Sequence, residues 1–262
     1  MLKVAVILTG ELRYIDFCYK WWQETVKESG FEVNFFSSTW SHLDNATLAN
    51  NIQDVSSLNN TFPNTQFETH TEDIIFNCNI PKEIEQWCSP GPHKVPYFFG
   101  RVMHLDKCMQ NNDMSKYDVI MHSRWDCAFR NSNFFKFVIN EAVHKIVVSG
   151  LKCDMGLLYS SDWVLAGPGA TMREIYINSL QKHIDLFNYY YKKDPTVATT
   201  YLIGHNLYTT YIQNQLKSIS NVNFDITLVR KHNLKFKFDN DTWAKLLEIH
   251  LNCTTPKSSK IK

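Results

Sequence analysis

Tyr117-Asp118-Val119-Ile120-Met121-His122-Ser123-Arg124-Trp125-Asp126-Cys127-Ala128-Phe129 is the stretch on which the fold turns. Its first six residues read as a buried strand by run length and β-branching, and the strand leads directly into Ser123-Arg124-Trp125-Asp126. A short apolar run that ends in a cation and a carboxylate two residues apart belongs to the carboxyl end of a strand in an α/β sheet, where ligands collect.

The same pattern appears upstream. Val4 to Leu8 is an unbroken apolar run closed by Thr9-Gly10, which predicts a parallel strand buried on both faces. Ile15, Phe17, Cys18, Trp21, Trp22 and Val26 then recur near helical spacing until Gly30, a residue suited to a left-handed helix end. Phe31 to Phe36 predicts a second strand, completing a strand, helix, strand unit of the parallel crossover type. A third short strand is expected at Phe67 to His70 and a helix at Tyr97 to Met109, with Phe98, Val102, Leu105 and Met109 on one face. Between these, Ser41 to Pro63 is rich in Asn, Asp, Ser and Thr and reads as a surface excursion. Cys88 to Pro96 carries three prolines and a glycine and reads as an irregular loop long enough to serve as a lid. Further on, Met172 to Tyr191 has the periodicity of one long helix entered through Gly167-Pro168-Gly169. Asn206 to Leu216 predicts another helix, and Asn223 to Arg230 a strand. Alternation of this kind defines an α/β protein.

Composition bounds the function. With 27 basic and 26 acidic residues the chain carries a formal charge of +1, without the electropositive surface of a dedicated nucleic-acid binder. No apolar run reaches the roughly 18 residues that span a bilayer, and the apolar start is too short for a signal peptide, so a cytoplasmic location is expected. The seven cysteines are scattered without a CxxC pair, which points to free, mostly buried thiols. At 262 residues one domain is expected over 1–253, with a polar, basic tail at 254–262.

Two strand ends carry the candidate chemistry. At the first, Gly10 permits close backbone approach and Arg13 offers a planar fork for a phosphate. At the second, Arg124 and Asp126 supply the two charges that a diphosphate and a divalent metal require. A carboxylate oxygen is a hard ligand for Mg or Mn.

Four segments taken in order, VAVILTGELR, FEVNFFSSTW, YDVIMHSRWDCAF and SDWVLAGPGATM, resemble the bacterial and phage-type glycosyltransferases related to lipopolysaccharide-synthesis enzymes. The resemblance spans about residues 1 to 215 and implies a GT-A-like single domain: a Rossmann-like, mixed, mostly parallel sheet flanked by helices. It implies a nucleotide-sugar donor, a glycan or other acceptor, a role in polysaccharide biosynthesis, and Mn or Mg as cofactor. Gly10 and Arg13 match its first-strand motif and are implied in donor binding. Arg124 and Asp126 match its Arg-x-Asp, in the place where many GT-A enzymes have Asp-x-Asp; Asp126 is implied as the metal ligand and both as catalytic groups. Asp162, beside Trp163, is implied in binding the acceptor, acting as general base or supporting the site.

Each assignment has a plainer reading. Arg124 and Asp126 also fit a local ion pair, Asp162 a turn or N-cap residue, and Arg13 a solvated helix entrance. Most of the tryptophans fit the core, whereas Trp125 and Trp163 flank the acids and are candidates to stack on a sugar or base. His122, His205 and His232 read as ordinary polar residues, and Arg230 to His232 falls at a strand end that can meet a diphosphate. The missing first acid of Asp-x-Asp leaves open an inactive, carbohydrate-binding or assembly protein. A dehydrogenase is disfavoured because Gly10 stands alone without GxGxxG, and a nucleotidyltransferase because only one metal carboxylate is placed.

Overall fold

The computed structural model describes residues 1–10, 14–40, 65–70, 94–149, 152–154, 157–159, 163–194, 219–222, 225–230 and 234–254. Only the backbone is described at 39–40, 65–70, 94–101, 152–154, 157–159, 219–222 and 253–254. The expected excursion at 41–63, the helix at 206–216 and the tail beyond 254 lie outside the described residues, as do Arg13, Asp162, His205 and His232.

The strands in chain order are β1 (Lys3–Thr9), β2 (Glu32–Trp40), β3 (Thr65–His70), β4 (Val119–Arg124), β5 (Cys127–Phe129), β6 (Ile146–Ser149), β7 (Lys152–Asp154), β8 (Leu157–Tyr159), β9 (Val164–Pro168), β10 (Ile219–Val222) and β11 (Ile226–Leu228). Seven of them form the central sheet, in the order β10-β6-β9-β4-β1-β2-β3, while β5 pairs with β11 and β7 with β8. The pairs β1/β2, β2/β3, β1/β4 and β6/β10 are parallel, and β9 alone runs against its neighbours β4 and β6. The helices are α1 (Ile15–Lys27), α2 (Lys94–Asn111), α3 (Ser132–Ala142), α4 (Gly169–Tyr176), α5 (Ser179–Lys193) and α6 (Asn240–Thr254). This is the mixed, mostly parallel α/β architecture expected from the sequence.

Alternation along β1 accounts for the layers. Val4, Ala5, Val6, Ile7 and Leu8 are all fully buried. Ala5 and Ile7 pack with Val102 and Leu105 of α2, Met172 and Ile175 of α4 and Phe187 of α5. Val4, Val6 and Leu8 pack with Trp22 of α1 and with Phe135 and Val138 of α3. A strand covered on both faces loses its polar positions, which is why this run is continuous rather than alternating. Gly30 has φ +74, as the left-handed stop after α1 required. Gly169 opens α4 where a Cβ would lie 2.0 Å from the Tyr117 carbonyl oxygen, so no other residue fits without moving the start of β4.

Three expectations need correction. Helix α2 begins at Lys94, so Pro96 lies in its first turn, where the missing N–H costs nothing, rather than in an irregular loop. The helix expected over 172–191 is two helices. Ile177 is extended and Asn178 adopts the left-handed conformation at φ 56, while the Asp106 carboxylate accepts the Asn178 amide at 2.8 Å. Asparagine tolerates that conformation, and the apolar spacing runs through the break without marking it. Finally, β4 runs over Val119–Arg124 rather than 117–122, which places Arg124 on the strand itself.

Candidate functional site

Chain order defines the place to look. From β1 the chain steps outward to β2 and β3, then returns to lay β4 on the other side of β1. The carboxyl ends of β1 and β4 therefore flank a topological switch point, the position at which open α/β sheets bind ligands. Register sets Thr9 beside Arg124 on one side and beside Ser38 on the other. Gly10 follows Thr9 with φ +102 and open space where a Cβ would stand, so its backbone can approach a ligand.

Arg124 and Asp126 form a bidentate pair: Nε donates to Oδ1 at 2.7 Å and Nη2 to Oδ2 at 2.8 Å. This two-point fork is the strongest geometry available to such a pair. A second arginine joins it from far along the chain. Strand β5 (Cys127–Phe129) pairs antiparallel with β11 (Ile226–Leu228), and the Val229 amide continues the ladder by donating to the Asp126 carbonyl at 2.6 Å. Arg230, the next residue, then lies with Nη1 3.7 Å from Asp126 Oδ2. The carboxylate is 3% exposed, whereas the Arg124 and Arg230 side chains keep 23% and 27%. The two guanidiniums, rather than the carboxylate, are therefore the groups that keep access to solvent.

Helix α6 closes the cluster. Trp243 and Leu246 pack with Phe17, Trp21, Ala128 and Val229, and one helical turn on His250 meets the Trp163 ring edge to face at 5.4 Å. Burial, first, and the neighbouring Arg230 and Arg124 depress the His250 pKa against the opposing pull of Asp126, so the imidazole is neutral at pH 7. Ser123 Oγ donates to the Trp163 carbonyl at 2.6 Å, tying the entry of β9 to the end of β4. On the face under α2, Thr9 pairs with His122 Nε2 at 2.8 Å and Ser38 with His104 Nδ1 at 2.7 Å. These buried hydroxyl–imidazole pairs hold the strand ends in place.

Of the expected site residues, Gly10, Arg124 and Asp126 are brought together at the switch point, while Arg13 and Asp162 lie outside the described residues. Trp125 is a correction. Its ring is fully buried among Tyr19, Phe35 and their neighbours, and its Nε1 donates to Ser37 Oγ at 2.9 Å, leaving no face on which a sugar or base can stack. It is a core residue because the chain turns at Trp125-Asp126 and drives the indole inward while the carboxylate meets Arg124. Trp163 retains partial exposure. His250, Thr9, Ser38 and His104 were missed by sequence reasoning. A histidine at the apolar positions of α2 was the available signal for His104; His250 had none, because its partners are remote in sequence.

The metal implied by the resemblance does not fit the described residues. Both Asp126 oxygens accept from Arg124, Arg230 stands behind them, and among the described residues no group of three or more His, Cys, Asp or Glu converges to hold an ion. A hard dication needs several oxygen ligands and avoids guanidinium neighbours.

No family model and no curated protein matches the chain. Among solved structures it is similar to the galactosyltransferase LgtC in complex with donor and acceptor sugar analogues, at 10% identity over 85% of this chain and 73% of that one, with a TM-score of 0.49. It is also similar to 4-diphosphocytidyl-2C-methyl-D-erythritol synthase from Anaerococcus prevotii, at 8% identity over 95% and 96% of the two chains, TM-score 0.44. S. aureus TarS matches at 12% identity over 67% of this chain and 50% of that one, TM-score 0.37. All three likenesses are remote. Among the described residues no helix is long and apolar enough to cross a membrane.

Proposed function

We propose that the chain is a nucleotide-sugar-dependent glycosyltransferase acting on a glycan or other acceptor, as in polysaccharide biosynthesis. The observation that carries this reading is the partly open Arg124–Arg230 pair, anchored on one buried carboxylate at the β1/β4 switch point. An anion held there meets two guanidinium forks beside Gly10. In transfer, the bond from the anomeric carbon to the diphosphate oxygen breaks and its electron pair leaves with the diphosphate. The acceptor hydroxyl oxygen bonds to the anomeric carbon and its proton passes to a base on the acceptor side, the role the resemblance offers Asp162. Arg124 and Arg230 stabilise charge as it develops on the leaving group, the largest single contribution in reactions of this kind. Arg13 and Asp162 are assigned by resemblance alone, the first to the nucleotide and the second to the acceptor side. The buried thiols of Cys18, Cys108 and Cys127 suit a reducing compartment such as the cytoplasm.

The test is thermal unfolding against UDP-, GDP-, CMP- and dTDP-sugars, each with and without Mn, followed by donor hydrolysis with whichever sugar binds. A ligand that binds the native state alone raises the midpoint. A shift accompanied by turnover supports the enzyme, and a shift without turnover supports an inactive binding protein. No shift with any donor overturns the reading.

A further inference from the structure

The arrangement around Asp126 decides how an anion is held. A carboxylate that binds a metal presents free oxygens to solvent. Here both oxygens accept from the Arg124 fork at 2.7 and 2.8 Å, and the carboxylate is 3% exposed. Arg230, which follows Val229 at the end of the β5/β11 ladder, approaches the same group at 3.7 Å. The Asp126 carbonyl is also engaged, accepting from Val229 at 2.6 Å, so the turn cannot swing outward without breaking that ladder. A dication placed here would sit between two guanidiniums and displace the bonds that order them.

We infer that this site binds its anion without a divalent cation: Arg124 and Arg230 supply the charge a metal would, and Asp126 is a positioning residue that fixes their forks. Both guanidinium side chains keep partial exposure, 23% for Arg124 and 27% for Arg230, while the Asp126 carboxylate is 3% exposed. The identity of the anion as a nucleoside diphosphate rests on the transferase reading above; the charge arrangement does not. A planar fork already ordered by a carboxylate loses little freedom on meeting a phosphate, which is the advantage of arginine over a mobile lysine here.

Inorganic pyrophosphate is the probe, titrated calorimetrically into the full chain in EDTA and, separately, with Mn. Binding is expected in EDTA with no gain from Mn, and Mn alone should give an unperturbed aqueous paramagnetic resonance signal. Arg124→Gln and Arg230→Gln should each weaken pyrophosphate binding about tenfold, the scale of one charge-assisted contact. Asp126→Asn separates the roles by sign. Removing a negative charge beside the anion tightens binding about threefold if the guanidiniums do the holding, whereas a metal ligand's loss abolishes it. Should Arg124→Gln unfold because Asp126 is left uncompensated, the double variant Arg124→Gln/Asp126→Asn removes both charges at once and should bind about tenfold less tightly than Asp126→Asn. Binding that requires Mn and disappears in Asp126→Asn overturns the inference, as does no pyrophosphate binding under either condition. The outcomes separate from those of the donor panel. Nucleotide-sugars that bind only with Mn sink this inference and leave the transferase standing, while pyrophosphate bound in EDTA with no donor bound does the reverse.

Discussion

Trp125→Phe distinguishes a core residue from a stacking platform. The indole is fully buried, and its Nε1 donates to Ser37 Oγ at 2.9 Å; that hydroxyl in turn donates to the Leu8 carbonyl at 2.8 Å, linking the turn after β4 to β2 and β1. Phenylalanine removes the donor, which costs about 1 kcal/mol for a buried hydrogen bond. It also leaves roughly 40 Å³ unfilled beside Tyr19 and Phe35, which at about 24 cal/mol per Å³ costs about 1 kcal/mol more. The expected loss is therefore about 2 kcal/mol, or about 4 to 8 °C in the unfolding midpoint of a chain this size. Urea unfolding measures it directly, as a lower midpoint at unchanged slope. Pyrophosphate affinity should fall by much less than the tenfold expected of Arg124→Gln. A ligand-stacking tryptophan predicts the opposite pattern, a stability change within about 0.5 kcal/mol and a large loss of donor affinity. That pattern would refute the packing argument.

Two further outcomes concern the helix that carries His250. Asp239 precedes α6; its carboxylate accepts the Thr242 amide at 2.9 Å, and Lys237, chiefly, together with Thr242 lowers its pKa to about 2. Asp239→Ala should lower the unfolding midpoint at neutral pH and raise amide exchange at the start of α6; because the depressed pKa places this contribution above the unfolded value near 3.8, the difference from wild type should shrink as pH falls from 4 toward 2. Unchanged exchange at 242–246 would show that the cap is idle. For His250 the folded pKa lies below the ordinary histidine value of 6.5, so the fold binds fewer protons than the unfolded chain, and its contribution is full above that pH and is lost as pH falls. His250→Gln should accordingly flatten the decline of the midpoint between about pH 7 and 5; a variant with the wild-type slope would place the responsible group elsewhere.

Four strands of the central sheet, β1 to β4, were legible because each carries a local signal, whereas β6, β9 and β10 were not read from the sequence. Val4 to Leu8 is apolar at every position, and in this fold only a strand covered on both sides buries all five. Gly30 marked the stop after α1, and the spacing of Val102, Leu105 and Met109 marked the buried face of α2. Arg124 and Asp126 were legible as charges at a strand end, since two residues beyond a buried run cannot lie far from its carboxyl edge. Their pairing was legible only as one of two alternatives. Which reading holds depends on the turn at Trp125-Asp126, whose direction is set by packing against Tyr19 and Phe35. Likewise the break at Asn178 is fixed by Asp106, some 70 residues earlier, and not by any change in apolar period.

By itself, then, the sequence determined β1 to β4, α1, the buried face of α2 and which strand end bears charge, because those properties follow from residues within a few positions of each other. Only the tertiary structure decided that Arg230 and His250 join Asp126. The antiparallel register of β5 with β11 and the docking of α6 on Trp21 bring them there. Register and docking are set by complementary surfaces roughly 100 residues apart or more, and no local pattern encodes the distance between them.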